Sequence, residues 1–265
     1  MIGAIIGDIV GSRFEFEPTN DYNFPFVGAG CSITDDSVCT CAVADAIMHG
    51  KTYTNALRNW GRKYPHPQGG YGGMFCAWLH SVHPQPYNSY GNGSAMRVSP
   101  VGWLFTGDDV VAEAKKSAEC THNHAEGIKG ACATADAIQM ALSGKYTNNK
   151  IVDAICKKYG YTIDIDLPSI MNYHDITCQG TVPVALRCFN DADDYEDAIR
   201  RAIALGVDAD TIGAIVGGIA EAYWGVPQRI VDMCAKYIPD DMKQIVREFY
   251  SRVQPIHGDK LKYTI

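Results

Sequence analysis

Apolar residues recur along most of this chain at the spacing of one helix face. Ile2, Ile5, Ile6, Ile9 and Val10 fall at i, i+3, i+4, i+7 and i+8, which predicts a helix. Gly3, Gly7 and Gly11 lie four apart on a second stripe of it, where the missing Cβ atoms would admit another backbone at a cost in helix propensity. Val38, Cys41, Ala42, Ala44 and Ile47 predict a second helix, Asp109 to Glu119 a third, and Ile128, Ala131, Cys132, Ala135, Ile138 and Leu142 a fourth. Ile151 to Tyr159 continues the pattern, and Asp193 to Leu205 is helical up to Gly206. Ile212, Ile215, Val216, Ile219, Ala220 and Tyr223 form the cleanest stripe, closed by Gly225 and Pro227. Met242, Ile245, Val246, Phe249 and Val253 repeat the pattern near the end. No run alternates as a strand would, so the expected fold is all-α, an orthogonal or bundled multi-helix domain spanning residues 1–265. The stretch from Pro65 to Pro100, rich in Gly, Pro, Asn and aromatics, is expected to be one long irregular loop, and a loop of that length in a compact domain is usually functional.

Composition narrows the function classes. A formal net charge of −7 without basic blocks argues against nucleic acid as a partner, because that binding depends on Lys and Arg neutralising phosphates. No segment reaches the roughly 18 uninterrupted apolar residues of a membrane helix, and the apolar start is broken by Asp8 with no basic region before it. The ten cysteines include no Cys-x-x-Cys pair, and Cys132, Cys156 and Cys188 sit in apolar stripes, so reduced thiols and a cytoplasmic location are expected.

Chemistry concentrates at two helix starts. Ser32-Ile33-Thr34-Asp35-Asp36-Ser37 precedes one apolar stripe and Asp208-Ala209-Asp210-Thr211 another. Capping explains Ser, Thr or Asp at such positions, but a cap uses one side-chain oxygen, and each start here carries two acids and a hydroxyl. Four carboxylates brought together would repel unless cations sat between them. All-oxygen ligands select Mg²⁺, Mn²⁺ or Ca²⁺ over zinc, and this many acids suits a two-metal centre. Asp8, inside the apolar first helix, needs a partner, either as the cap of another helix or as outer support for the metals.

Further candidates lie elsewhere. Glu15 follows the Ser12-Arg13-Phe14 end of the first helix and is either a surface acid beside Glu17 or a general acid or base on a movable loop. Gly91-Asn92-Gly93 is either a plain turn or a place where backbone amides reach a diphosphate. Tyr90 is a candidate to stack on an adenine. His122 and His124 are two apart and cannot share a helix face; one is expected to touch ligand and His124 to cap a helix. Trp60, Trp78 and Trp103 read as core or pocket wall.

Taken in order, these segments resemble the ADP-ribosylglycohydrolases of the dinitrogenase-reductase-activating type. The likeness runs through Gly7-Asp8-Ile9-Val10-Gly11-Ser12 with Glu15, Thr34-Asp35-Asp36-Ser37, Ser89-Tyr90-Gly91-Asn92-Gly93-Ser94-Ala95-Met96-Arg97, Thr121-His122-Asn123-His124 and Gly206-Val207-Asp208-Ala209-Asp210-Thr211-Ile212-Gly213. The resemblance implies an all-α fold and two Mg²⁺ or Mn²⁺ ions held by Thr34, Asp35, Asp36, Asp208, Asp210 and Thr211. It implies catalytic roles for Glu15, Asp35 and Asp210, and ADP-ribose contacts from Ser89, Tyr90, Gly91, Asn92, Gly93, Ser94, Met96 and His122. The implied reaction is hydrolysis of the glycosidic bond between ADP-ribose and an acceptor, either a protein side chain such as arginine or serine or a small ADP-ribosyl compound. Two positions depart from the family pattern: Val207 stands where a second glycine is common, and Ala125 where proline is common. Neither removes an implied ligand, and both bear on loop shape.

Two other readings fit the same residues: an ADP-ribose binder without turnover, and a dinuclear phosphohydrolase that attacks the diphosphate. The presence of all six implied ligands and Glu15 argues against the first. The acceptor would be chosen by loop shape at the mouth, near Glu15 to Cys31 and Pro65 to Tyr87.

Overall fold

The computed structural model describes residues 1–258 and 263–265. Its elements are α1 (Ile2–Gly11), α2 (Asp35–His49), α3 (Tyr53–Lys63), α4 (Gly73–His80), α5 (Gly93–Met96), α6 (Ser99–Leu104), α7 (Asp108–Glu119), α8 (Ala125–Leu142), α9 (Asn148–Tyr159), α10 (Leu167–Ile170), α11 (Cys178–Asn190), α12 (Tyr195–Ile203), α13 (Ala209–Trp224), α14 (Gln228–Cys234) and α15 (Asp240–His257). Among the described residues there is no strand, only two isolated bridges, so the fold is all-α. No helix among them is long and apolar enough to cross a membrane, and all ten cysteines are free thiols.

Helix α13 lies at the centre. Every residue from Ala209 to Ala222 is buried, because glycines and alanines fill the faces that its Ile and Val stripe leaves open. Helices α1, α8, α11 and α12 pack around it. The glycine stripe of α1 explains the closest of these contacts. A Cβ on Gly3, Gly7 or Gly11 would stand 2.4, 1.9 or 2.2 Å from the backbone oxygens of Gly217, Gly213 and Ala209. The pairing runs antiparallel, so the C-terminal end of α1 arrives at the N-terminal end of α13. The opposite end of the contact is held by Glu221, buried within α13, which accepts from the Met1 amino group at 2.5 Å, the Gly3 amide at 2.9 Å and the Tyr250 hydroxyl. Removing Glu221 would leave a buried ammonium unpaired, a loss of about 3–5 kcal/mol.

The stretch from Pro65 to Pro100 is not one irregular loop. Phe75, Trp78 and Leu79 sit at i, i+3 and i+4 of α4, which packs on α3; α5 and the start of α6 follow. Glycines before α4 and prolines after it obscure so short a helix in the sequence. Helix α11 was also hidden, because Pro183 lies inside it. Trp60, Trp78 and Trp103 are core residues.

Candidate active site

Three helix ends converge, and each contact follows from the packing above. Asp8 projects from α1 at the start of α2, where its Oδ2 accepts from the amides of Thr34 and Ser37, both at 3.1 Å, and from the Ser37 hydroxyl. The buried acid of α1 is therefore a cap for α2 supplied from another helix. Thr34 completes that cap locally, its Oγ1 accepting from the Asp36 amide at 3.1 Å. Because α1 also delivers its C-terminal end to the start of α13, the two acidic clusters meet. The Thr211 hydroxyl lies 3.3 Å from Asp36 Oδ2 across 175 residues of chain, and the Thr34 hydroxyl reaches the same oxygen at 3.3 Å.

Glu15 joins them from the turn after α1. It is half-buried, with Oε2 shielded from solvent and without a partner. The backbone at Gly69, with φ of +76°, passes so close that a Cβ there would lie 2.3 Å from that oxygen. Asp208 is fixed from the far side by Asn92, whose Nδ2 donates to Oδ2 at 2.6 Å. Gly206, at φ +65°, makes the turn into Asp208. Val207 needs no such conformation, so the missing second glycine leaves the turn intact.

The electrostatics are those of acids crowded without counter-charge. Burial, then the neighbouring Asp208 and Asp8, pushes Glu15 up to about 7. Burial, then Asp8, Glu15 and Asp208, pushes Asp35 up to about 8. Burial raises Asp8 to about 6 against its hydrogen bonds from Ser37 and Thr34. Asp36 and Asp210 are driven well above the usual carboxylate range by burial first and then by neighbouring acids, Asp8 and Asp208 acting on both, and Asp208 is raised by burial despite Asn92. Asp36 Oδ1 and Asp210 Oδ1 are buried with no hydrogen-bond partner. Among the described residues no three Asp, Glu, His or Cys side chains form a ready-made metal cage. The donor set nonetheless suits hard divalent cations: carboxylate and hydroxyl oxygens only, two of them orphaned, in a site that carries excess negative charge.

Glu15, Asp35, Asp36, Asp208 and Asp210 line one cavity of about 850 Å³, together with Ser89, Tyr90, Gly91, Asn92, Gly93, Met96, His122 and Thr211. The Asn92 amide donates to Ile176 O at 2.8 Å and the Cys178 amide to Tyr90 O at 2.9 Å, tying the glycine turn to the start of α11. Tyr90 is 49% exposed and meets His124 edge-on at 5.3 Å. His124 caps α8, its Nδ1 accepting from the Glu126 amide at 3.1 Å. His122 is buried against the turn, and burial and then the charge of Arg97 hold it well below the ordinary histidine range. Two of the expected site residues do not border the cavity. The Thr34 hydroxyl nonetheless stays 3.3 Å from Asp36 Oδ2, and the Ser94 hydroxyl donates to Gly127 O at 2.7 Å, joining α5 to α8.

Sequence reasoning missed part of the wall. Gly69 to Phe75 contribute one side of it, inside the Pro65 to Tyr87 stretch expected at the mouth but not singled out by residue. His174, Ile176 and Thr177 contribute another. Thr177 caps α11 by accepting from the Gly180 amide at 3.1 Å; an Asp-Ile-Thr run before a helix start was the available signal, masked by Pro183.

Comparison with known proteins identifies the family. The family model for ADP-ribosylglycohydrolase matches residues 1–257. The human ADP-ribosylhydrolase ARH3 is 24% identical, the match covering 91% of this chain and 90% of that protein. The ADP-ribosylarginine hydrolase Tri1 of Pseudomonas putida strain GB-1 is 26% identical over 85% of this chain and 70% of its own. A solved structure titled as an ADP-ribosylglycohydrolase-related protein complex superposes with a TM-score of 0.72 at 21% identity, covering 95% of each chain. With a whole-length family match on a chain whose two acidic helix starts meet in one cavity, this protein is a hydrolase belonging to the ADP-ribosylglycohydrolase family.

Proposed function

We propose that this chain hydrolyses the glycosidic bond between ADP-ribose and an acceptor, with two divalent cations, Mg²⁺ or Mn²⁺, in the acidic cavity. The observation that carries the reading is the meeting of Asp36 and Thr211 at 3.3 Å, which unites two acid clusters in a cavity large enough for a nucleotide sugar. Asp35, Asp36, Asp208 and Asp210, with the Thr34 and Thr211 hydroxyls, would hold the cations, whose charge would fix the distal ribose hydroxyls and acidify water nearby. The buried, unpartnered oxygens of Asp36 and Asp210 support that assignment.

The remaining chemistry belongs to the chain. Cleavage of a ribosyl bond develops positive charge on the sugar ring, which nearby carboxylates stabilise. Glu15 sits on the cavity wall, its carboxyl raised to about 7 by burial and the neighbouring acids in the cation-free chain, and its unpartnered Oε2 is placed to hold or release a proton. Asn92 holds Asp208 in place. Gly91 and Gly93 border the cavity without side chains, so a diphosphate can approach the turn there even though the Gly91 and Asn92 amides are given to Ser89 Oγ and Ile176 O, and Tyr90 offers an exposed ring to an adenine. The arginine linkage in the name of the Pseudomonas relative makes an ADP-ribosylated arginine side chain one candidate substrate; serine and small ADP-ribosyl compounds are others.

A hydrolysis screen of arginine-, serine- and nucleic-acid-linked ADP-ribose, with and without chelator, tests this. Release of intact ADP-ribose that stops on chelation is expected. AMP plus ribose phosphate would instead identify a phosphohydrolase, and tight ADP-ribose binding without turnover of any substrate would identify a binder.

A further inference from the structure

Arg97 ends one of the sequence segments described above and Thr121 opens another, yet the proposed reaction uses neither. Arg97 follows α5 and is 1% exposed. Among the described residues no carboxylate pairs with it. Its Nη2 donates to Ser117 O at 3.0 Å and to Thr121 Oγ1 at 2.7 Å, and its Nε is buried without an acceptor. A guanidinium buried without a counter-ion is costly to retain, and this one borders the cavity.

The Thr121 hydroxyl passes the constraint on. Its oxygen accepts from Arg97, which leaves one proton to give. Its hydrogen bonds reach His122 Nδ1 at 2.8 Å and Ala118 O at 3.4 Å, and the Tyr87 hydroxyl and Cys120 thiol lie beside it. Hydroxyl donors favour about 2.7–2.8 Å, and a cation bonded to the oxygen makes the hydroxyl a stronger donor. The proton therefore points to Nδ1. A neutral imidazole that accepts at one nitrogen donates at the other, so the hydrogen is on Nε2. That atom faces the glycine turn: a Cβ on Gly93 would stand 3.1 Å from it, and one on Gly91 3.6 Å.

We propose that Arg97 and Thr121 are positioning residues that fix His122 as its Nε2–H tautomer, a donor held against the Gly91–Gly93 turn for the oxygens of the bound ligand. Burial and the Arg97 charge keep the ring neutral, so it stays a one-donor group. Only the identity of that ligand rests on the function proposed above.

The test is a nitrogen-15 NMR measurement of the full chain labelled at histidine, with His122→Gln identifying the signal. His122 is expected to show a protonated Nε2 and a bare Nδ1 from about pH 5.5 to 8, through the range where a free histidine titrates. Thr121→Val is expected to lose this preference and Thr121→Ser to keep it. With ADP-ribose as probe, Thr121→Val should bind about 3- to 10-fold more weakly, the worth of one neutral hydrogen bond, and Thr121→Ser as the parent does. A protonated Nδ1 in the parent overturns the inference, as does a Thr121→Val protein whose tautomer is unchanged. The tautomer is read without ligand, so a fixed Nε2–H form in a protein that ignores ADP-ribose upholds the positioning and rejects the proposed function.

Discussion

Gly7 of α1 and Gly213 of α13 approach so closely that a Cβ on Gly7 would lie 1.9 Å from the Gly213 carbonyl oxygen. This contact sets the site, because it fixes how far along α13 the end of α1, and with it Glu15, will reach. Asp8 is the next residue and fixes α2 in turn.

Gly7→Ala is therefore expected to destabilise the protein even though alanine is the better helix former. The helix gain is at most about 1 kcal/mol. Backbone-to-backbone overpacking costs about 1–3 kcal/mol or more, and no flexible side chain is there to give way. A fall in thermal midpoint of several degrees, with loss of activity, is the expected result of a melting and turnover comparison. Gly73→Ala, where a Cβ meets nothing within 4 Å, should not lower the midpoint. A Gly7→Ala protein as stable as its parent would mean the helices are not in this contact.

Replacing Asp210 separates stability from function. Its carboxyl is buried, and after burial the charges of Asp36, Asp208, Glu15 and Asp8 oppose its ionisation. In chelator, Asp210→Asn removes one of several repelling acids, and the melting temperature should equal or exceed that of the parent. With Mg²⁺ added, the parent should gain stability and the variant little or none, and turnover should be lost. Normal turnover by the variant under chelation would refute the proposed metal dependence.

The same crowding predicts an unusual pH dependence for chelated protein. Asp8, Glu15 and Asp35 are raised to about 6, 7 and 8 in the folded chain, against about 4 when unfolded. The folded state therefore binds more protons between those limits, and its stability falls as pH rises from about 4 to 8. Asp45, Glu196, Asp197 and Asp241 act in the opposite sense: hydrogen bonds and ion pairs lower them against the pull of burial, and the stability they add is lost as pH falls below about 4. A thermal-shift series in chelator should peak in mild acid and decline through neutrality, and Mg²⁺ should flatten the decline. A chelated midpoint that climbs from pH 5 to 8 would contradict the acid cluster.

The sequence disclosed most of the longer helices, α3 and α11 excepted, and the acids at their starts, because a repeating apolar stripe and a cluster of Asp and Thr are local features. The glycine stripe of α1 even announced a close helix neighbour. What stayed hidden depends on tertiary contact. Nothing local shows that Asp8 caps α2 rather than facing a metal, or that Ser94 turns its hydroxyl to Gly127 O while Asn92 turns to Asp208. Helices α4 and α11 escaped notice because glycines crowd one and Pro183 lies inside the other; Gly69 to Phe75 were expected only as part of the mouth, and His174, Ile176 and Thr177 were missed as cavity wall.

Gly69 and Gly70 provide the sharpest test of Glu15. Both have positive φ, +76° and +81°, so alanine at either brings a similar backbone strain of about 1–2 kcal/mol. They differ in what the new methyl would meet: at 69 the Glu15 carboxylate, 2.3 Å away, and at 70 nothing within 4 Å. If Glu15 handles a proton in the reaction, Gly69→Ala should lower kcat by about 100-fold or more, the usual worth of a well-placed acid or base, and Gly70→Ala should leave it near the parent value. Glu15→Gln should match Gly69→Ala in kcat while leaving ADP-ribose affinity within a few-fold, because the amide keeps the shape and loses the proton. Equal rates for the two alanine variants would show that the position of the Glu15 carboxylate does not matter to turnover.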